Sequence, residues 1–560
     1  MALNLAHSIA KNYESLKSER TNLDNIVQDI IDYIAPFYSD VTRTRAPGER
    51  RTHKIFDSTA TYGSFILSQF IQGAVCNTAT RWFGLGHSDP EINEDAEAAT
   101  CLKDWTTAML LAFRRSNFYQ GNGQAINSWI NMGNGPLLCE MVPQSREGLN
   151  QLRYTAIPYG QYVMCEGPDG KIDTFIREVT IKLVNAYKMF KQDGGVNFGL
   201  SDDLLRNLDK TPYKDVTFLH SICPRENMEY GDRKTKKANE LPWASCWVEK
   251  EKLRLVRESG YRLFPVAISR YDLIAGEPYG RGPSEMALAD ARTMNEADKK
   301  EMLMWDRQLD PPTLSKRNSI INGVLNKRAG GDTVVSDPNN SVRQLFDQPN
   351  WQADDLMRKR KVEQILRIYH VSEILNLLSR EKPELTAFET NARLNLLQQI
   401  QGPVYSRLEQ DYQSVIINVT LDNMAHAGML SEPPDVLRQG ATNGVLSVSY
   451  ESPLARAARN QEITDIQQSV ADLAGIQQFD PQALQMMDFQ KATRKLFEIR
   501  GTQDLLFTEQ EFTTRLNKEL AKQNAEKMAA LGMGAAEAAG KVAPYIKVTR
   551  EGAQSGQAAA

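Results

Sequence analysis

The sequence has few of the residue patterns that enzymes and metal proteins need. Its six cysteines are widely spaced and none belongs to a C-x-x-C pair, which excludes zinc ribbons and thioredoxin-like motifs. Its six histidines are equally scattered, so only the fold could collect them into a site. The chain also has no P-loop, no complete G-x-G-x-x-G, no H-E-x-x-H and no G-x-S-x-G. We therefore expect no cofactor, no metal site and no catalytic site.

Long apolar runs and an excess of basic charge are missing too. The most apolar stretch, "GSFILSQFIQGAV", is interrupted by Gln69 and Gln72 and is too short to span a bilayer. The first twenty residues have no apolar core of the signal-peptide type. A formal net charge of -4 gives no sign of a general nucleic-acid binder, although it leaves transient contact with DNA open. The composition indicates a soluble, multidomain globular protein of a reducing cytosol, without a membrane partner.

The first half of the chain combines helices with a β-rich region. Apolar residues at helical spacing predict a helix up to about Ala35, and further helices are expected over about 58–75 and 95–116. The stretches "QYVMC" and "KIDTFIREVTI" flank "EGPDG" and predict a β-hairpin. "VTFLHSI", "WASCWV" and "LFPVAIS" continue in strand style to about Ser269.

The stretch "YGRGPSEMALADARTMN" begins at Tyr279 and joins a glycine-flanked turn to a helix. Glycines before a helix can cradle a phosphate, but Pro283 removes one of the amides that such a site needs. The alternative is a plain helix entry, with Gly282 as N-cap and Pro283 at the first helical position. We favour the helix entry, with Gly280 and Gly282 letting the backbone turn, and expect a helix of roughly 40 Å ending at Leu309.

A second helix is predicted from about residue 351 to Leu378, again roughly 40 Å long. Between the two, residues 310–350 are rich in turn-forming residues. Two helices of matched length around such a segment indicate an antiparallel pair with a small module at its tip. The methionines at 286, 294, 302 and 304 fit a helix-packing core better than an adaptable binding surface. Because the apolar stripe is narrow, that packing extends in part to other copies of the chain.

The remaining sequence is mainly helical. A long helix is expected from Thr386 to about Ala427, kinked at Gly402-Pro403, and more helices follow between about 452 and 530. The Ala- and Gly-rich tail after residue 531 is predicted to be mobile.

Basic clusters on the second helix and in the two loops around it fit either a functional surface or a solvated one, because a run of charges on a helix is usually exposed to solvent. They are Arg358, Lys359, Arg360 and Lys361 on the helix, Lys316, Arg317, Lys327 and Arg328 before it, and Arg380 and Lys382 after it. Acid pairs such as Asp202-Asp203 and Asp354-Asp355 leave a carboxylate-dependent nuclease open as an alternative function.

The sequence resembles the portal (head-to-tail connecting) proteins of short-tailed, T7-like bacteriophages. The resemblance covers about residues 10–515 and rests on an ordered succession of stretches. They are "DSTATYGSFILSQFIQGAV…RWFGLG", "NMGNGPLLCEM", "YGRGPSEMALADARTMN", "LDPPTL", "TAFETNARLNLLQQIQGPVYSRLEQDY" and "VSYESPLARAARN".

The resemblance implies an α+β fold, mainly α, in which the chain has a wing, a two-helix stem, a clip and a helical crown and assembles as a ring. The implied segments are the wing at 1–282, the stem helices at 283–309 and 351–378, the clip at 310–350, the tunnel loop and long wing helix at 379–450, the crown at 451–530 and the tail at 531–560. A long helical barrel above the crown, as in some short-tailed phages, is short or absent here.

The resemblance also implies the function. A dodecameric ring at one capsid vertex would pass double-stranded DNA during packaging and ejection, and would contact the major capsid protein, the packaging ATPase (terminase) and a tail adaptor. Assembly would take place in the host cytoplasm. The basic residues of the tunnel loop and of the second stem helix, numbered 380, 382 and 358–361, would line the channel, and those at 316, 317, 327 and 328 would serve docking at the clip. A DNA-processing enzyme and a minor capsid or scaffolding protein remain the alternatives.

Overall fold

The fold is described from a computed structural model. It describes residues 2–89, 92–93, 95–142, 151–191, 196–225, 241–309, 313–315, 342–344, 351–378, 404–440, 446–450, 463, 466–473, 489–500, 512, 514–519 and 522.

Helices predominate and strands are concentrated in the middle of the chain, as an α+β fold requires. The helices are α1 Ala2–Glu19, α2 Thr21–Tyr33, α3 Thr59–Val75, α4 Ala96–Arg115, α5 Phe118–Met132, α6 Leu183–Lys191, α7 Asp202–Lys210, α8 Pro283–Leu309, α9 Trp351–Ile368, α10 Val371–Leu378, α11 Ser414–His426, α12 Asp435–Gly440 and α13 Phe489–Arg500. The strands are β1 Phe83–His87, β2 Asn134–Val142, β3 Gln151–Ala156, β4 Tyr162–Glu166, β5 Ile172–Lys182, β6 Val196–Asn197, β7 Asp215–Pro224, β8 Trp243–Glu249, β9 Arg254–Tyr261, β10 Val266–Arg270, β11 Thr313–Ser315, β12 Val342–Gln344 and β13 Leu446–Tyr450.

The chain divides into two compact units. The first contains 1–85, 104–432 and 448–458, and the second contains 86–103, 433–447 and 459–560. Among the described residues, the helices that lie wholly within the second unit are α12, α13 and the short helical segments at 466–473 and 514–519. All the sites discussed below belong to the first unit.

A six-stranded sheet in the order β4-β5-β7-β8-β9-β6 forms the centre of the β-rich region. The predicted hairpin is confirmed, since β4 and β5 pair antiparallel with Tyr162 opposite Arg177. One face of the sheet packs against Ala6, Ile9 and Tyr13 of α1. The other face, which carries Phe218 and Trp247, packs against α6 and α7. The sheet is therefore covered by helices on both sides.

A smaller sheet in the order β10-β2-β3 lies next to α5. Tyr154 of β3 donates to or accepts from Thr420 of α11 at 2.8 Å, and Tyr412 donates to Asn122 of α5 at 2.8 Å. These buried bonds attach the segment after residue 404 to the sheet. That segment begins as a helix, includes a π-helical turn at Leu408–Gln413 and continues into α11. The kink predicted at 402–403 lies outside the described residues.

Within the described residues, no helix has both the length and the apolar character needed to cross a membrane. The same residues contain no group of three or more His, Cys, Asp or Glu side chains placed to hold a metal ion. Asp203 of the suspected acid pairs forms an ion pair with Lys252 at 2.9 Å, and Asp355 forms one with Lys359 at 2.6 Å. Neither contact gathers carboxylates into a site.

Candidate functional site

The helix predicted at 283–309 is confirmed as α8, which begins at Pro283 and ends at Leu309. At 1.5 Å per residue, its 27 residues span roughly 40 Å. The side chains buried within the chain recur at helical spacing along one stripe, at 284, 287, 288, 291, 294, 295 and 298. From Lys299 to Asp306 no side chain is fully buried, and only Glu301 and Met304 are half-buried, so the distal third of the helix is largely exposed among the described residues.

The helix predicted at 351–378 is two helices rather than one. The run is interrupted at Tyr369-His370, where His370 has a φ of 53°. Tyr369 is fully buried, and its ring covers Gly63 so closely that a Cβ there would lie 2.5 Å from a ring carbon. The prediction of a continuous helix was wrong because this tertiary contact with α3 fixes the chain direction, which helical spacing alone does not reveal.

Four polar contacts show that α8 and α9 run antiparallel. Tyr369 donates to the Ser284 hydroxyl at 2.8 Å, and Lys361 pairs with Asp290 at 2.7 Å. Further along, Arg358 contacts both Asp298 at 3.1 Å and Glu301 at 2.7 Å. Residues later in α8 therefore contact residues earlier in the second helix. The predicted antiparallel arrangement of the two helices is therefore confirmed.

The basic run on α9 has two structural environments. Arg358 and Lys361 are used in the ion pairs between the helices. Lys359 pairs with Asp355 one turn away on α9, where both side chains are largely exposed. Arg360 is exposed and forms no ion pair with any described residue. Of the six channel candidates, Arg360 is thus the charge that the described chain leaves to solvent, whereas Arg380 and Lys382 lie outside the described residues. So do the clip candidates Lys316, Arg317, Lys327 and Arg328.

The methionines of α8 are not all core residues. Met294 is buried, whereas Met286 and Met302 are 63% and 60% exposed, so packing within the chain is confirmed for Met294 and packing against other copies stays a prediction. Other large apolar side chains of the two helices are also exposed, namely Leu303, Trp305, Leu356 and Met357. The two helices therefore present an apolar surface that the described residues do not cover.

The turn into α8 is held by close backbone packing. We call residues 131–135 together with 279–284 the joint. A Cβ on Gly282 would lie 2.6 Å from the Ile130 carbonyl oxygen, and one on Gly280 would lie 2.7 Å from that of Gly133. Gly133 itself has a φ of 75°. Neither Gly280 nor Gly282 has a positive φ; the absence of a Cβ is needed at both because two backbones meet there, and their part in the turn stays a prediction.

Polar side chains complete the joint. Asn134 is fully buried, accepts a hydrogen bond from the Gly280 amide at 2.9 Å and donates to the Gly280 carbonyl at 3.1 Å. Arg281 pairs with Glu277 at 2.7 Å and with Glu285 at 2.9 Å. Burial lowers the pKa of Arg281, but these two carboxylates outweigh it and raise the pKa above its ordinary value. The direction in which α8 leaves the sheet is therefore fixed on both sides of the turn.

Further along α8, Asn295 accepts hydrogen bonds from the amides of Phe56 at 2.7 Å and Asp57 at 3.1 Å. Sequence reasoning missed Asn131, Asn134 and Asn295, since a lone asparagine carries no periodic signal. The available signal was the pair of glycine-rich stretches "NMGNG" and "YGRGP", which meet at the joint.

Comparison with known proteins places this chain in a family. The portal protein of Salmonella phage epsilon15 is 26% identical over 548 residues, which cover 95% of this chain and 94% of that protein. The probable portal protein of Bordetella phage BPP-1 is 26% identical over 541 residues, with 94% and 93% covered. A chain of a structure titled "Virion of native gene transfer agent (GTA) particle" matches at 12% identity and a TM-score of 0.35, covering 79% of this chain and 94% of that one. Residues 6–506 match the family described as "Bacteriophage head to tail connecting protein", and the chain therefore belongs to this family.

Proposed function

We propose that the protein is the portal of a short-tailed phage: a dodecameric ring at one capsid vertex through which DNA is packaged and later ejected. The observation that carries the proposal is the antiparallel pair α8 and α9, in a chain that matches the head-to-tail connecting family over residues 6–506. In the ring, this pair is the stem and one stave of the channel wall. The segment 310–350 is the clip, residues 1–282 are the wing and residues 451–530 are the crown.

The uncovered apolar surface of the stem supports ring assembly. Met302, Leu303 and Trp305 are each about half exposed or more in a single chain. Contiguous exposed apolar surface usually marks an interaction site. Neighbouring copies in a ring would cover it with the equivalent helices of their own stems.

A charge placed on this surface tests the proposal. Trp305→Glu should prevent ring formation while leaving the thermal unfolding of the subunit nearly unchanged, because Trp305 is 59% exposed in the single chain. Mass photometry measures the ring fraction. Tyr213→Glu is the matched control, since Tyr213 is 74% exposed but lies far from α8 in sequence, next to β7. Rings of Trp305→Glu as abundant as those of the unchanged protein would contradict the assigned interface.

In the proposed channel, Arg360 on α9 and Arg380 and Lys382 on the tunnel loop face the DNA. A mildly acidic chain suits this task, because each basic residue bound to phosphate adds affinity that would hold moving DNA in place. Replacing Arg380 and Lys382 with Ala should change packaging or DNA retention without affecting ring assembly. Particles of the double variant with normal DNA content would remove this role.

The proposed partners follow from the place of the ring: the major capsid protein around the wing, and the terminase and then a tail adaptor at the clip. Lys316, Arg317, Lys327 and Arg328 are the proposed docking residues. The ring assembles in the host cytoplasm and ends in the virion. Its role is structural, and purified protein should not cleave DNA in the presence of magnesium. Magnesium-dependent cleavage that co-purifies with the ring would favour the nuclease alternative.

A further inference from the structure

A cavity of about 780 Å³ lies between the two sheets of the first unit and remains unassigned by the proposed function. Its walls come from β2 and β3 on one side, from β5, β8 and β9 on the other, and from α11. Most of the lining is apolar, including Met141, Leu241, Trp247 and Val419. This volume is in the range of small-molecule sites in proteins, about 300–1,000 Å³.

Four arginines line the cavity, against two carboxylates. They are Arg153, Arg177, Arg257 and Arg262, with Glu140 and Asp422 as the acids. Glu140 accepts a hydrogen bond from the Tyr261 hydroxyl at 2.8 Å, and Asp422 lies 3.4 Å from His426. The polar part of this otherwise apolar cavity is therefore positively charged.

Arg177 is the central group of the cluster. Arg177 is 92% buried, and it forms no ion pair with a carboxylate among the described residues. Its Nε donates to Nδ1 of His220 at 3.0 Å, and the guanidinium lies over the Trp247 ring, 5.5 Å from the centroid. The residue lines the cavity together with Glu140, whose negative charge attracts the guanidinium. Buried charges are normally paired, because leaving water is costly for an ion.

Neutral groups hold this guanidinium in place, and Glu140 offsets only part of the positive charge of the cluster. Burial and the positive charges of Arg177 and Arg257 lower the pKa of His220 far below its ordinary value, so its ring is neutral. Because His220 Nδ1 accepts from Arg177, its proton lies on Nε2, which donates to the Ser245 hydroxyl at 2.9 Å. His220 stacks on Trp247 with ring centroids 4.1 Å apart. Arg262 adds a second cation whose buried Nε has no partner in the described chain.

We propose that this cavity binds an organic anion, in which a carboxylate or phosphate group meets Arg177 and Arg262 and an apolar body fills the rest. Guanidinium groups bind such oxyanions through paired, charge-assisted hydrogen bonds. The apolar walls select an anion with a hydrocarbon or aromatic body over a bare inorganic ion. The site belongs to the subunit itself, so it is independent of whether the ring conducts DNA.

Calorimetric titration of the purified full-length protein tests this with three probes: sodium decanoate, 1-decanol and inorganic phosphate. Decanoate should bind saturably with one site per subunit. 1-Decanol, which has the apolar body without the charge, and phosphate, which has the charge without the body, should each bind at least about tenfold more weakly. Equal binding of decanoate and 1-decanol, or decanoate uptake that does not saturate, would overturn the proposal.

Arg177→Met separates a ligand site from a structural arginine. It keeps much of the side-chain volume, removes the buried charge and should weaken decanoate binding about tenfold or more. It should also lower the melting temperature only modestly, because the buried charge is removed while Nδ1 of His220 loses its donor. Arg254→Met, on the same sheet but outside the cavity lining, should bind decanoate normally. Unchanged decanoate affinity in Arg177→Met would show that the guanidinium serves the fold alone.

Discussion

Gly282→Ala tests whether the stem is fixed to the sheet by close packing of two backbones. The new Cβ would lie 2.6 Å from the Ile130 carbonyl oxygen and 2.9 Å from the Gly133 amide nitrogen. Ordinary contacts of a Cβ begin near 3.4 Å, so the start of α8 would have to move by several tenths of an ångström away from α5. Neither neighbour is a flexible side chain that can rotate aside.

The magnitude follows from two opposing effects. Overpacking of a well-packed site costs about 1–3 kcal/mol, and a clash with backbone belongs at the upper end of that range. Replacing glycine also reduces the conformational freedom of the unfolded chain, which adds about 0.4–1 kcal/mol to the free energy of unfolding. We expect the first unit to lose roughly 2 kcal/mol of unfolding free energy. The shifted stem should also lower the yield of closed rings.

Two other glycines provide matched controls. Gly73 lies inside α3, and a Cβ there meets nothing within 4 Å, so Gly73→Ala should stabilise the helix by up to about 1 kcal/mol. Gly276 also has open space but a φ of 87°, so Gly276→Ala introduces strain of about 1 kcal/mol without a clash.

Differential scanning fluorimetry and denaturant titration should rank the melting temperatures as Gly73→Ala highest, then the unchanged protein, then Gly276→Ala and last Gly282→Ala. A Gly282→Ala protein as stable as Gly276→Ala would refute the backbone contact.

Three further predictions concern named contacts. Asp32, whose side chain is fully buried, pairs with Arg43, Arg45 and Lys54 at 2.6–2.9 Å, so Asp32→Asn should cost about 3–5 kcal/mol in denaturant titration; a loss under 1 kcal/mol would contradict the assigned cluster. Burial raises the pKa of Asp32, but its three cations outweigh burial and lower the pKa below its ordinary value. The contribution of Asp32 to the free energy of unfolding is therefore fully present above about pH 4, where an unfolded Asp is ionised. In an acid titration this contribution should be lost as the pH falls below that range. Asn295→Ala leaves two amides without their acceptor and should destabilise the protein by about 2 kcal/mol in denaturant titration; a loss near zero would contradict the importance of these two bonds.

The sequence allowed the helix bounds of α8, the hairpin of β4 and β5 and the antiparallel stem to be predicted, because these features depend on local patterns. Pro283 marks the start of a helix, and "EGPDG" marks a turn between strands. The break at Tyr369-His370 could not be predicted, since it depends on the contact of Tyr369 with Gly63, some three hundred residues earlier. The same holds for the joint, where Asn134 and Gly280 lie 146 residues apart in the chain.

The contacts made by the individual charged residues could not be predicted from the sequence either. The run from Arg358 to Lys361 is uniform in composition, but the helix turns two of its members toward α8 and leaves Arg360 in solvent. The arginine-lined cavity gave no sequence signal, because Arg153, Arg177, Arg257 and Arg262 come from three different strands and the turn after β9. They come together only because residues of the two separate sheets line the same cavity.

Electron microscopy of the purified protein tests the central claim most directly. Class averages viewed down the symmetry axis should show one closed ring of subunits around an open channel, with the paired helices forming the channel wall. Particles that remain monomers or dimers at micromolar concentration would contradict the account.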